Sequence, residues 1–346
     1  MPQLDALRAI AVLAVLYSHY LPEPRWFLGI YWGEAGVRLF FVLSGFLITK
    51  LLASARSRVE EGTHTRAQAL GHFYARRALR LVPAYYAVLA VAAAIGIAPV
   101  RETLLWHLGY LSNTYFVRHG GWDGPVSHLW SLAVEEQFYL GWSLIIVLAA
   151  SRRRILWIVA AILSGPLFRL VCLALRWPQI VSWVMTPGSL DALGLGALLA
   201  WRTRQGTRFE SRGPFLGAAA ACGLLGWIAL QKWGTKGAWA GINEVLGTTV
   251  LSVFFVWLIG RAARGFGGFA GRLLESRPLL YLGKISYGVY LIHNFAVPLL
   301  DVLFAKLRIR SFVPVPALAV PTTIGLAALS WRFLERPCNR LKARFD

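Results

Sequence analysis

Long apolar stretches, almost free of charge, succeed one another along this chain and govern what it can fold into. About 20 mostly apolar residues suffice for a helix to cross a bilayer. Ten such candidates lie at roughly 4–21, 35–53, 79–98, 127–150, 155–175, 188–201, 214–231, 242–260, 279–304 and 313–334. Of these, 188–201 is short, and 279–304 is long and interrupted by polar residues. The semi-apolar segment 103–117 reads as a re-entrant or interfacial helix. Composition agrees: 57% of the residues are apolar and 15% charged, where a soluble domain carries roughly a quarter charged. The expected fold is all-α, a polytopic transmembrane bundle of about ten spans forming a single membrane domain, 1–346.

The loops orient this bundle. With the N-terminus in the cytoplasm, 23 Lys and Arg residues fall in inside loops and the C-terminal tail, 9 in outside loops and 4 within or at the ends of spans. That alternation is the positive-inside pattern, so both termini are expected in the cytoplasm. The net charge of +20 is thereby assigned to cytoplasmic loops and anionic lipid, not to nucleic acid. Residues 4–21 lack a small-x-small cleavage site and are followed by Pro22-Glu23-Pro24, so they read as a retained first span and not a signal peptide. Cys172, Cys222 and Cys338 form no CxxC pair, and neither disulfides nor a metal site is expected.

A charge in mid-membrane costs about 2.5–3.5 kcal/mol on insertion scales and needs a partner or a task. Arg8 and His19 are eleven residues apart in the first span, hence on one face and about 16 Å apart along the axis. The plainer reading pairs Arg8 with Asp5 and lets His19 bond a neighbouring helix. In the fourth span, His128, Trp130 and Ser131 are followed by the adjacent acids Glu135 and Glu136. Those acids suit proton transfer, or alternatively pair with an arginine such as Arg38 or Arg169. Asp191 opens the sixth span, and Tyr290 and His293 share a face of the ninth with Ser286. Arg77 and Arg80, three apart, present two guanidinium forks suited to phosphate or to headgroup anchoring. Basic groups on the cytoplasmic side and a His/Glu/Asp set toward the other suit an anionic donor entering from inside and acid–base chemistry beyond it.

These residues resemble the acyltransferase-3 family of membrane O-acyltransferases over nearly the whole chain. LDALRAIAVLAVLYSH at the start is similar to the family's opening signature, and Gly36–Ile48 (GVRLFFVLSGFLI) to its most recognisable block. FYARRALRLVPAYY, HLWSLAVEEQFYL, ISYGVYLIH and FLERPCNR complete the set in order. The resemblance implies transfer of an acyl group, commonly acetyl, from cytoplasmic acyl-CoA as co-substrate. The acceptor is a hydroxyl on an extracytoplasmic or membrane-associated molecule, most often a sugar of a surface polysaccharide or glycolipid, alternatively a secreted natural product. It implies that Arg8 and His19 are essential, that Arg77 and Arg80 assist donor binding, and that the protein resides in a bacterial cytoplasmic membrane. Position 38, often Asp in the family, is Arg here, and position 189 is Ser where an Arg is frequent. Some relatives continue into a soluble esterase-like domain, which this sequence is expected to lack.

On this reading His19 is the general base and Glu135 or Glu136 orients it. Arg8, Arg77 and Arg80 hold the donor. His128, Trp130, Ser131, Asp191, Tyr290 and His293 are acceptor-side or supporting candidates. An acyl-His19 intermediate is the other route. The rival class is a transporter or flippase of a lipid-linked glycan with the charged set as proton relay, although no internal hydropathy repeat is evident. No Walker A, HExxH or dinucleotide fingerprint is present, so ATP, zinc and NAD are not implied.

Overall fold

A computed structural model describes residues 1–21, 31–204, 213–233, 237–308 and 315–345. Pro22-Glu23-Pro24 and the loop cations Arg25, Arg208, Arg212, Lys236 and Arg310 lie outside them. Every regular element among the described residues is helical. In chain order they are α1 (Pro2–Tyr20), α2 (Trp32–Glu60), α3 (Arg66–Ile95), α4 (Leu104–Leu108), α5 (Ser112–His119), α6 (Leu129–Leu148), α7 (Arg154–Ala174), α8 (Gln179–Val184) and α9 (Leu190–Arg204). They continue as α10 (Gly213–Trp233), α11 (Gly237–Ile242), α12 (Thr248–Arg264), α13 (Gly268–Leu274), α14 (Arg277–Leu307), α15 (Val315–Ser330) and α16 (Arg336–Arg340). A π-helical turn, Trp331–Glu335, joins the last two. Seven helical stretches among the described residues are long and apolar enough to cross a membrane.

Local chemistry sets the ends of these helices. Thr65 and Gln68 form a capping box that starts α3, satisfying two backbone N–H groups that a helix start leaves open. Gly96, at φ +79, closes it in the left-handed conformation that a side chain resists. On α7, Leu156, Leu163, Leu167 and Leu170 line one exposed face. Such a stripe is a liability in water and an ordinary surface in hydrocarbon.

Small residues set how the helices touch. A Cβ on Gly45 of α2 would lie 2.0 Å from the Leu193 carbonyl oxygen of α9, and one on Gly283 of α14 would lie 1.8 Å from that of Asp5 on α1. Only glycine permits such approaches, the usual way membrane helices pack when apolar burial supplies no drive between them.

Cross-helix contacts give each pair a direction. Arg8 and Lys284 line one cavity while His19 meets His293, so α1 and α14 run parallel. Ser44–Glu135 and Trp142–Thr49 contacts make α2 and α6 parallel. His128–His293 and Ser131–Tyr290 contacts make α6 and α14 antiparallel.

The 103–117 segment forms two short helices and not one, because Tyr110 between them takes φ +52. Gln137, eight residues into α6, donates to the Tyr110 carbonyl (2.9 Å) and to Asn113 Oδ1 (3.0 Å). The bend at Tyr110 therefore dips about 12 Å along α6 from its start, stacked on Tyr85 of α3. The 279–304 span is one unbroken 31-residue helix, α14, which carries Pro298 internally.

Candidate active site

Two helix histidines and one at a helix start form a row. The rings of His19 (α1) and His293 (α14) are 4.8 Å apart, and those of His293 and His128, which precedes α6, 4.7 Å apart, both edge to face. The hydrogen bonds of His19 define its proton. Its Nδ1 is 2.9 Å from the Val15 carbonyl oxygen on the same helix. A carbonyl only accepts, so Nδ1 carries the hydrogen and Nε2 holds the lone pair. His19 is exposed, whereas His293 is fully buried. His293 Nδ1 is likewise 2.5 Å from the Tyr290 carbonyl, which leaves its Nε2 unpartnered. Both nitrogens of His128 face carbonyl oxygens, of Pro125 (3.1 Å) and Leu291 (3.0 Å). Ser131 and Tyr290 join the set through a 2.5 Å hydroxyl–hydroxyl bond. Tyr20 donates to the His293 carbonyl and contacts Thr323 at 2.9 Å, which ties α15 to the same place. Trp130 points elsewhere, against Phe41 and Trp122.

The acids do not join this row. Glu135 accepts from Ser44 (2.7 Å) and Tyr139 (2.9 Å), and neither it nor Glu136 bonds His19. The expected pairing with His19 fails for a geometric reason. His128 and Glu135 share a face, but seven residues separate their depths by about 10 Å. At the deeper level lies Arg77, its guanidinium 4.0 Å from the Tyr139 ring centroid and close enough to Glu136 to act on it electrostatically.

Further along α1 and α14, away from the histidines, lies a cavity of about 480 Å3. Arg8, Arg80 and Lys284 supply cations to its wall, and Asp5 and Glu335 supply acids. Arg8 pairs with Asp5 at 3.1 Å, as its i,i+3 spacing suggests. Arg77 does not line this cavity, so the two arginines of the RxxR pair face different surroundings. Lys284 and Glu335 escaped the sequence reading. The lysine counted as a span end, and a glutamate in the closing segment has no local signal that it turns inward.

Asp191 belongs to a third group. It is fully buried and accepts from Arg169 Nη2 (2.7 Å) and Thr249 (2.5 Å). Its other carboxylate oxygen is 3.6 Å from Arg38 Nη1. Arg169 also donates to the carbonyls of Val245 and Gly188. Thus Arg38 and Arg169 serve Asp191 and not the α6 acids. The unusual residues at 38 and 189 also meet, since Arg38 Nη1 is 3.4 Å from Ser189 Oγ. Among the described residues no group of three or more His, Cys, Asp or Glu side chains could hold a metal ion.

A model of the acyltransferase domain family matches residues 1–332. The peptidoglycan O-acetyltransferase OatA of Listeria monocytogenes is 27% identical over 367 residues, covering 98% of this chain and 56% of the relative. The O-acetyltransferase OatA of Staphylococcus aureus is 28% identical over 366 residues, covering 98% and 57%. The chain therefore spans little more than half the length of these relatives. No solved structure matches it.

Proposed function

Because the chain belongs to the acyltransferase-3 family of membrane O-acyltransferases, we propose that it moves an acetyl group from cytoplasmic acyl-CoA to a sugar hydroxyl of a cell-wall polysaccharide. The acceptor class follows the relatives, whose names state O-acetylation, of peptidoglycan in one case. The observation that carries the mechanism is His19. Its Nδ1 is committed to a backbone carbonyl and its exposed ring offers Nε2 as a base. About 16 Å along the same helix, Arg8 lines the cation-bearing cavity.

In this mechanism Arg8 and Arg80 hold the anionic end of the donor, and its thioester arm lies along α1 and α14 toward the histidines. The acceptor hydroxyl gives its proton to His19 Nε2 as its oxygen bonds the thioester carbonyl carbon. Collapse of the tetrahedral oxyanion breaks the C–S bond, and the imidazolium returns the proton to the departing thiolate. The ester and free CoA are the products. His293 packs His19 in place and is backed by His128, and the Ser131–Tyr290 pair fixes α14 against α6 beneath them. Glu135, Glu136 and Arg77 form a polar step between the cavity and the histidines.

The topology proposed is ten crossings with both termini in the cytoplasm of a bacterial cell and the chain as one membrane unit. Supporting it, α1 and α14 are the first and ninth spans and run parallel, as do α2 and α6, the second and fourth. In a background lacking Cys172, Cys222 and Cys338, a membrane-impermeant thiol reagent applied to spheroplasts is expected to label Gly121→Cys and spare Gly62→Cys. The reverse pattern would reject the orientation.

The activity is tested with purified protein in liposomes, labelled acetyl-CoA and peptidoglycan fragments. The expected result is CoA release coupled to acetylated glycan, lost in His19→Ala. Movement of a lipid-linked glycan without CoA release would favour the transporter reading instead. Label retained on the protein when acceptor is omitted would favour an acyl-His19 step.

A further inference from the structure

The cavity bounded by α1 and α14 holds two features that the assignment of Arg8 and Arg80 leaves unused. One is Trp331, the first residue of the π-helical turn Trp331–Glu335. Such turns are uncommon and recur at functional sites, because their extra residue displaces side chains from the regular helical face. The other is Lys284, whose ammonium lies 5.2 Å from the centroid of the Trp331 ring. Among the described residues Lys284 has no carboxylate within ion-pair distance, and its contact with the indole face is of the cation–π type. That contact is weak enough to exchange, and it keeps a flat aromatic face and a mobile charge next to each other.

A flat indole, a lysine and two arginines on one wall form a recognisable chemical set. The ring offers a stacking surface to any base. The guanidiniums of Arg8 and Arg80 offer forks to phosphate oxygens, and the lysine adds a compact charge with three donors. The buried Glu335 carboxylate accepts from Ser330 at 3.0 Å and gives this wall an acceptor as well. A simple anion or a lipid headgroup would need no stacking face.

We infer that Trp331 and Lys284 form the nucleotide-end subsite for the donor: Trp331 stacks the purine, and Lys284 leaves the indole to join Arg8 and Arg80 on the phosphates. The inference rests on the reading that the donor is an acyl-CoA. It adds the part of the donor that is recognised and the residues that recognise it.

Two donors separate this idea from the reading beneath it. Acetyl-CoA carries the base and phosphates, whereas acetyl-pantetheine carries the same thioester and arm without them. Trp331→Ala is expected to raise KM for acetyl-CoA about tenfold, in the range that base–aromatic stacking contributes, with kcat changed less than twofold. Its kcat/KM for acetyl-pantetheine should move less than twofold. Trp331→Phe, which keeps a stacking ring, should recover most of the loss. Lys284→Ala should show the same donor-selective loss. If Trp331→Ala and Lys284→Ala weaken both donors equally, or neither, the subsite is overturned while the acyl-CoA reading survives. If the unmodified protein transfers acetyl from neither donor, the reading itself fails, and the subsite with it.

Discussion

Around Asp191, the guanidinium of Arg169 places its donors on four oxygen partners, two carbonyls, a carboxylate and a hydroxyl. Along the seam of α1 and α14, by contrast, two histidines each commit one nitrogen to a carbonyl, and the buried Nε2 of His293 has no partner. Both regions place ionisable groups where apolar side chains would be cheaper. In the first, the guanidinium donors are placed and the one carboxylate oxygen without a hydrogen bond, Asp191 Oδ1, faces Arg38 at 3.6 Å, so the ion pair holds helices in register and has little left to offer a ligand. The open nitrogens of His19 and His293 leave the second unfinished as structure, and that incompleteness is what proton transfer requires. An opposite charge facing the open atom, present at Asp191 and, among the described residues, absent at the histidines, separates the two.

The sharpest way to break this contrast is at its open end. His19→Ala should lower acetyl transfer by about 10^3-fold, within the span general-base catalysis contributes, with expression and thermal unfolding in detergent unchanged. Transfer rates beside melting curves check both halves. At the saturated end, the opposite outcome is expected. Asp191→Ala strands Arg38 and Arg169 and should cost about 3–5 kcal/mol of stability, seen as a large drop in melting temperature. Activity should fall only as folded protein is lost. A triple variant, Asp191→Leu with Arg38→Met and Arg169→Met, should recover much of that stability, since replacing a buried ion triad by apolar groups is often neutral or better. A third measurement concerns helix spacing. Gly45→Val should destabilise the α2–α9 contact by at least 1–3 kcal/mol, because the backbone of Leu193 leaves no room for a Cβ. The smallest effect is at Tyr290, where Phe removes the hydroxyl's bonds to Ser131 and to the His128 carbonyl, at about 1 kcal/mol. If Tyr290→Phe instead abolished transfer while leaving stability intact, the hydroxyl would belong to the chemistry and the histidine row would have to be extended.

Features that depend on local spacing were readable from the sequence. A separation of eleven residues puts Arg8 and His19 on one face of one helix, and the structure places them at two ends of that face. The order of the apolar stretches implied that first and ninth, and second and fourth, run the same way, as the observed pairs do. The Asp5–Arg8 ion pair needed only its i,i+3 spacing. What escaped depends on which helices become neighbours. Nothing near Glu135 in the chain says that Ser44, ninety-one positions earlier, occupies its oxygen. Nothing near Arg169 says that Val245 and Thr249 supply its last partners. Trp331 and Glu335 were hidden for another reason: a π turn has no period of its own, so it reads as the continuation of an apolar helix.

The glycine contact of Gly283 with Asp5 has a consequence for how the sequence can vary. It locks α1 and α14 side by side, so that Arg8 and Lys284 share one level and His19 and His293 another. From Lys284 to His293 the helix rises about 14 Å, and each residue turns it by about 100°. One residue inserted between positions 9 and 18 would swing His19 a quarter-turn or more away from His293. Exchanging apolar side chains there would not. Variants of this protein should therefore differ freely in the composition of that stretch, while insertions and deletions are purged from it. On the proposed mechanism, its length is the gauge that the donor's arm must match.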